Sequence, residues 1–482
     1  MILKPSKCIG CPFYDKSEYF TPDHIVPNSK VFFIAQNPGA DEEAGHRLVR
    51  RNQYTNEYTP VQPQPLIGAT GQLFERRFLP LSGLKREEIS IGNSIRCRPG
   101  SALGLKPDDL PNITTKMKLE TSKADIVKAL KHCQDAYLQV PSSTELIVTM
   151  GRYALFAMTG IQNEESEYGH KQGVVESWRG YSVDLPNYRS FSTIDTSFYH
   201  SLTSSYKLFV TMHIAALNYP ANKKYFHAVL QDFHKIKLLL NKQWPLPLPT
   251  WSTRPPIQWP AYAAFDTEYV PDTNELIRWS LCDVNNNLYC VESGNTNDNS
   301  IQVALNSTVL IQNALADIGH LSHIIDISKV NVEDLMLAHS VLWTGEPHSL
   351  NYINSMYGAF NRYKHLIHEE SQKQLYSVLD AYEPMYSWRN HFIPEFRADA
   401  VECEKVGIQN SWQIYKKYRL PLIPIINKAH QTGVKVDTSR LSEIQRLYKD
   451  RLQEIGQLAK LATNDNNFYI GGMKRVKDEI YG

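Results

Sequence analysis

Five residues in the second half of the chain are of the types that hydrolyse phosphodiesters: Asp266 and Glu268 in YAAFDTEYV, Asp317 in QNALADIGHL, and Tyr376 with Asp380 in LYSVLDAYE. In-line cleavage of a phosphodiester benefits from two divalent cations about 4 Å apart, one activating water and one holding the leaving oxygen. Hard cations such as Mg²⁺ or Mn²⁺ take oxygen ligands, which carboxylates supply. Tyr262 to Phe265 is aromatic and small apolar, as expected of a buried strand. Residues two apart on a strand share a face, so Asp266 and Glu268 point the same way at its end. Tyr376 and Asp380 are four apart in a helix-compatible stretch, which also puts them on one face. The phenol can then orient an attacking water beside a metal-bound carboxylate. Singly, each piece has a plainer reading: D-x-E as a solvated strand end, Asn313 with Asp317 as a weak pair, Tyr376 as helix packing and Asp380 as a surface charge. Their order along the chain is what gives them weight.

In that order, and with EDLMLAHSVLWTGEPHSLNYI between the second and third, the pieces resemble the three-part signature of DNA-polymerase-type 3′–5′ exonucleases of the DEDDy class. The resemblance implies a ribonuclease H-like exonuclease domain over 261–405. It implies two Mg²⁺ (or Mn²⁺) on Asp266, Glu268, Asp317 and Asp380, with Tyr376 at the water and Asn313 beside the substrate.

Length and composition bound the rest. A chain of 482 residues is too long for one ordinary domain and suggests two to four. The 42% hydrophobic share is ample for packed cores, and a net charge of +1 does not advertise nucleic acid in bulk. Arg47, Arg50 and Arg51, then Arg76 and Arg77, then Arg96 and Arg98 form local clusters that can meet phosphates, although a solvated surface is the plainer reading of any one of them. No apolar run approaches the roughly 20 residues that span a bilayer, and MILKPSKCIG has no signal-peptide core. The expectation is a soluble, intracellular protein without a membrane partner. Seven cysteines, an odd number, argue for thiols or metal ligands over a disulfide framework.

The elements that must position these residues are legible in outline. KVFFIAQ, ISIGNSI and ELIVTM read as strands; GQLFERRFLPLSGL and KKYFHAVLQDFHKIKLLL read as helices. Such alternation predicts a parallel α/β sheet. Polar stretches at 99–125 and 162–205 read as loops or insertions. KQWPLPLPTWSTRPPIQWP, dense in Pro and Trp, predicts an extended, semi-rigid linker over 241–260. Beyond the exonuclease-like region, Leu441, Ile444, Leu447, Ile455 and Leu458 recur at near-helical intervals. Gly433 ends the helix before them, and Val434 to Asp437 form a short link.

Cys8 and Cys11 form a C-x2-C pair, with Cys97 and Cys133 further on. Four thiolates brought together bind zinc or an iron–sulfur cluster, and from spacing alone zinc is the commoner answer. Free buried thiols remain a plain alternative for Cys97 and Cys133. Cys282, Cys290 and Cys403 read as ordinary core residues.

CPFY, AQNPGADEEAG, PLIGATGQLFERRFLPLSGL, IGNSIRCRPG and TMHIAALNYP follow one another as do the motifs of family 4 uracil-DNA glycosylases, over about residues 1–240. The resemblance implies a three-layer α/β domain with a [4Fe-4S] cluster on Cys8, Cys11, Cys97 and Cys133. Such enzymes extrude a nucleotide into a pocket and break its glycosidic bond with water. The matched positions imply Asn37 for the water, Asn93 for the base edge, and His213 as donor to the departing base. Plainer fates exist for all three, as helix cap, strand end and satisfied histidine. The sequence also departs from that family. Gln36 and Asn37 stand where it shows Glu then Ala, Leu66 where an aromatic stacks on uracil, and Ile214 where Pro follows the histidine. Asn before Pro-Gly is similar instead to mismatch-specific and single-strand-selective glycosylases.

Residues 406–482 resemble the entry to the polymerase module of family A DNA polymerases, with FYIGGMKRVKDEIYG as a divergent thumb element and no palm or fingers following. The fold expected is thus α/β: a glycosylase-like domain, a ribonuclease H-like exonuclease fold, then a short helical segment. The function expected is DNA repair or replication, acting on single-stranded or frayed 3′ ends, including uracil-containing DNA. Its rivals are a catalytically silent glycosylase fold that only grips DNA, and an accessory subunit that docks a separately encoded polymerase through 406–482.

Overall fold

The computed structural model describes residues 1–51, 55–99, 123–160, 164–165, 171–172, 174–183, 206–270, 273, 275–293, 301, 308–322, 330–364, 366 and 370–463. Met1–Ile423 form one compact unit and Pro424–Gly482 a second.

The first sheet uses β1 (Val31–Ala35), β2 (Ile89–Asn93), β3 (Leu146–Met150), β4 (Ser182–Val183) and β5 (Lys207–Thr211), in the order β2-β1-β3-β5-β4. All pairings are parallel except that of β4 with β5. Strands VFFIA and LIVTM are buried at every position, the mark of a parallel sheet covered on both faces. Side-chain alternation assigns the faces. Phe33 packs with Phe233 of helix α3 (Phe226–Leu240), whereas Phe32 and Ile34 pack with Leu155 and Met158 of α2 (Arg152–Thr159). Helix α1 (Lys123–Tyr137) lies on the α2 side through Ala129 and Leu130, which cluster with Phe156. This gives the expected three layers. GQLFERRFLPLSGL becomes a chain of short helical turns, Ala69–Leu73, Phe74–Phe78 and Leu79–Ser82, in place of one helix. Pro80 and the left-handed Gly83 (φ 74°) account for its tight end.

The second sheet uses β6 (Tyr262–Tyr269), β7 (Leu276–Asp283), β8 (Leu288–Glu292), β9 (Thr308–Ile311) and β10 (Asn331–Asp334), in the order β8-β7-β6-β9-β10. The first three strands form an antiparallel meander; β9 and β10 run parallel to β6. Ala263 and Phe265 face α4 (Ala314–Leu321). Ala264 faces the helices α5 (Leu335–Leu342), α6 (Leu350–Tyr357) and α7 (Lys373–Ser387), and Ser280 of β7 meets Ser377 of α7 at 2.8 Å. Helix α8 (Ile393–Val406) follows.

The Pro- and Trp-rich segment, expected as an extended, semi-rigid linker, packs against both sheets' surroundings through its tryptophan and its backbone amides. Trp244 is 4% exposed, packs edge-on to Phe209, and donates Nε1–H to Gly358 O at 2.9 Å. Leu246 N donates to Ala359 O, and Ser252 bridges to Tyr289 of β8. Proline removes donors but leaves the amides between free to pin the chain.

Helix α9 (Leu422–Thr432) stops at Gly433 (φ 63°), and α10 (Thr438–Thr463) follows a short link, as the sequence predicts. The thumb-like element at 468–482 and most of the polar stretches at 99–125 and 162–205 lie outside the described residues. Among the described residues no helix is long and apolar enough to cross a membrane.

Candidate active sites

Strand β6 carries Asp266 and Glu268 on its α7 side, and α7 brings Tyr376 and Asp380, one turn apart and each 7% exposed, to that face. Asp317 comes from the α4 side and is held by Thr267, whose amide donates to Oδ1 at 3.1 Å and whose hydroxyl donates to the same oxygen. Asn313 precedes α4 in the left-handed region (φ 61°), without a side-chain capping bond. Three residues that the sequence reading missed complete the centre. Thr267 is one. Tyr363 donates its hydroxyl to Asp380 Oδ1 at 2.6 Å, and Lys364 Nζ lies 2.7 Å from Asp380 Oδ2, 2.9 Å from Oδ1 and 2.9 Å from the Tyr376 hydroxyl.

The electrostatics are those of a cation deficit. Burial, then the charges of Asp380, Asp317 and Glu268, hold the Asp266 carboxyl well above the usual carboxylate range, and Lys364 only partly offsets them. Burial and Asp380 push Glu268 up to about 7, against Lys364 and Arg278. Burial pushes Asp317 up to about 7 despite the two Thr267 hydrogen bonds. Asp266 Oδ2 is buried with no hydrogen-bond partner. An orphaned carboxylate oxygen among like charges is costly unless a cation reaches it, so this donor set fits divalent ions. Among the described residues no trio of His, Cys, Asp or Glu is already arranged around a metal position. Asp380 is turned to Lys364 and Asp317 to Thr267.

Cys8, Cys11, Cys97 and Cys133 line one pocket with Lys4 and Arg96. Cys8 Sγ lies 3.0 Å from the Tyr137 hydroxyl, and Phe13 N donates to Cys11 Sγ at 3.5 Å. Burial, then Cys133, pushes the Cys97 thiol far up; burial pushes Cys133 to about 11 against Arg96, and raises Cys11. Cys97 and Cys133 are buried and Cys8 and Cys11 half-buried, and among the described residues no three of these thiols are already arranged around a metal position; as donors, four thiolates suit zinc or an iron–sulfur cluster. Cys282 and Cys290 are fully buried on neighbouring strands, as expected of core residues.

The three glycosylase-type positions lie at the carboxyl ends of the parallel strands, where open α/β sheets bind ligands. Asn37 follows β1, and its amide donates to Pro38 O at 3.0 Å. Asn93 ends β2 in register with Ala35, is 1% exposed, and has neither side-chain polar atom hydrogen-bonded. His213 follows β5. Its Nδ1 accepts from Ala215 N at 3.2 Å, which leaves Nε2 as the protonated nitrogen, and burial pushes its pKa down to about 4. Gly151 (φ 88°), at the end of β3, leaves room for it: a Cβ there would stand 3.0 Å from His213 Cβ. Leu66 (φ 53°), expected to line the base pocket, is 3% exposed and packs into the core with Phe74 and Ile214. Glu42, absent from the sequence reading, accepts from Gly39 N and Leu66 N at 2.9 Å each and so ties the 36–39 turn to Leu66. Its signal was local: a carboxylate three residues into a helix.

Residues 22–234 match the uracil DNA glycosylase superfamily. Over 136 residues the chain is 23% identical to the type-4 uracil-DNA glycosylase of Saccharolobus solfataricus, covering 27% of this chain and 54% of that protein. Over 103 residues it is 22% identical to the Archaeoglobus fulgidus enzyme of the same description, covering 21% and 43%. The chain thus spans about half or less of the curated relatives it matches. Among solved structures, similarity extends to the POL domain of Pol1 from M. smegmatis in complex with DNA primer-template and dNTP (TM-score 0.33, 12% identity, 45% of this chain and 35% of that one). It extends also to Escherichia coli RNase D, an exoribonuclease involved in structured RNA processing (TM-score 0.24, 16% identity, 30% and 44%).

Proposed function

We propose that the chain is a DNA repair or replication protein with a metal-dependent 3′–5′ exonuclease centre at Asp266, Glu268, Asp317, Tyr376 and Asp380. The observation that carries this is the buried, unpartnered Asp266 Oδ2 amid three further carboxylates. Asp266, Glu268, Asp317 and Asp380 would hold Mg²⁺ or Mn²⁺, which when bound supplies an activated water and a stabilised leaving oxygen. The protein's own part is positional. Thr267 fixes Asp317, Tyr363 fixes Asp380, and the Tyr376 hydroxyl, one turn from Asp380, orients the water. Asn313 borders the substrate path. The test is digestion of 5′-labelled single-stranded DNA, with RNA in parallel, with and without Mg²⁺. Asp266→Ala/Glu268→Ala should abolish stepwise shortening, and undiminished digestion by that variant rejects the assignment.

Residues 1–240 would form the glycosylase-like domain with a [4Fe-4S] cluster, 241–260 the connecting segment, 261–405 the exonuclease domain, and 406–482 the beginning of a polymerase module or a dock for a separate polymerase. Base excision by the first domain is favoured by the His213 tautomer, which leaves Nε2–H as the donor, and by the unsatisfied Asn93 amide. Asn37 would position the water, and tethering would raise the concentration of one site near the other's DNA. The silent-module reading is favoured by Leu66, whose side chain is committed to the core. Alkali-labile sites in uracil-containing DNA, assayed with the exonuclease silenced, separate the two.

A further inference from the structure

Lys364 is the unexpected member of the carboxylate centre. Its side chain is 16% exposed, it reaches both oxygens of Asp380, and it also reaches the Tyr376 hydroxyl. Both Asp380 oxygens are therefore engaged, and a metal ion taking the lone pair left on Oδ2 would stand directly beside the ammonium and be repelled by it. Four carboxylates balance two divalent ions in full, so an ammonium held among them would then be surplus charge. Without such ions it is, among the described residues, the cation in contact with Asp380, and it lowers the repulsion on Asp266 and Glu268. Lysine suits such a part: a compact point charge on a flexible four-carbon stem can withdraw, whereas the rigid fork of arginine holds its carboxylate.

We propose that Lys364 is the resident counter-ion of this centre, a positioning residue that keeps Asp380 and Tyr376 together in the metal-free protein and yields Asp380 to the incoming divalent ion. This rests on the nuclease reading above. Metal binding is then an exchange of cations. The affinity of the centre is set below what its carboxylates alone would give, and the Tyr376 hydroxyl is released from the ammonium when the ion arrives.

The test is direct titration of the full chain with Mn²⁺, following free ion by electron paramagnetic resonance, for wild type, Lys364→Met, Lys364→Gln and Lys364→Arg. Removing the positive charge in the Met and Gln variants should tighten Mn²⁺ binding by about tenfold or more, while Arg should bind no more tightly than wild type. Met and Gln variants that are folded by melting and bind Mn²⁺ with unchanged or weaker affinity overturn the proposal. Asp266→Ala/Glu268→Ala separates this from the parent reading. If that variant binds Mn²⁺ as wild type does, the ions go elsewhere and the nuclease centre itself fails.

Discussion

Lys235 Nζ donates to Asn354 O at 2.8 Å, a buried bond between helix α3 under the first sheet and helix α6 beside the second. Around it Arg179 pairs with Asp232 at 2.5 Å and donates to Ser355, while Tyr181 donates its hydroxyl to Asn351 O at 2.9 Å. A polar seam this dry holds only in one geometry, because each group displaced is left without water or partner.

Breaking the seam should therefore unfold both sheets together. Arg179→Ala leaves Asp232, fully buried, without its guanidinium, at a cost of about 3–5 kcal/mol. Urea denaturation followed by tryptophan fluorescence and by far-UV circular dichroism should give coincident transitions shifted to lower denaturant. Two separated transitions would show that the halves fold independently.

Support behind a carboxylate should matter to rate. Thr267→Val removes the hydroxyl that holds Asp317 Oδ1 but keeps the backbone donor. Single-turnover DNA shortening should fall by about 10–100-fold, the usual effect of losing an outer partner of a metal-binding ligand. A rate equal to wild type at all Mg²⁺ concentrations would remove Asp317 from the centre.

His213 sets a pH dependence of known sign. Its folded pKa is about 4 against 6.5 for the free side chain. A base whose folded pKa is depressed contributes stability that is complete above the unfolded value and lost as pH falls through the folded one. His213→Gln should flatten the melting temperature between about pH 6.5 and 4 relative to wild type. Ring chemical shifts should show the neutral Nε2–H tautomer at pH 6, and a ring titrating near 6.5 would show that water reaches it freely.

The thiol pocket makes a compositional prediction. Anaerobically purified chain should carry iron and no stoichiometric zinc, and Cys97→Ser should lose most of that iron, since Cys97 lies in the buried wall of the pocket. One zinc per chain by metal analysis would assign the pocket to the other metal that four thiolates accept.

Much of this was legible in one dimension, for a definite reason. Alternation along β6 placed Asp266 and Glu268 on one face, and four-residue spacing stacked Tyr376 and Asp380, because backbone geometry alone dictates both periods. The apolar runs of β1 and β3, and the stop at Gly433, were readable on the same local grounds. Residue types likewise sufficed to nominate the thiols.

What no periodicity carries is the partner of each side chain. Lys364 and Tyr363 close on Asp380 from a loop after α6, Asp317 approaches β6 through Thr267, and Arg179 meets Asp232 and Ser355 at the seam. Trp244, in a segment that reads as a semi-rigid linker, finds its particular partner in Gly358. These pairings come from how layers pack, which long-range burial and hydrogen bonding select among many local solutions. The acidic residues were therefore visible as candidates from their order along the chain, whereas their charge balance, with one lysine among four carboxylates, exists only once the loop after α6 and the helix α7 have folded over the sheet.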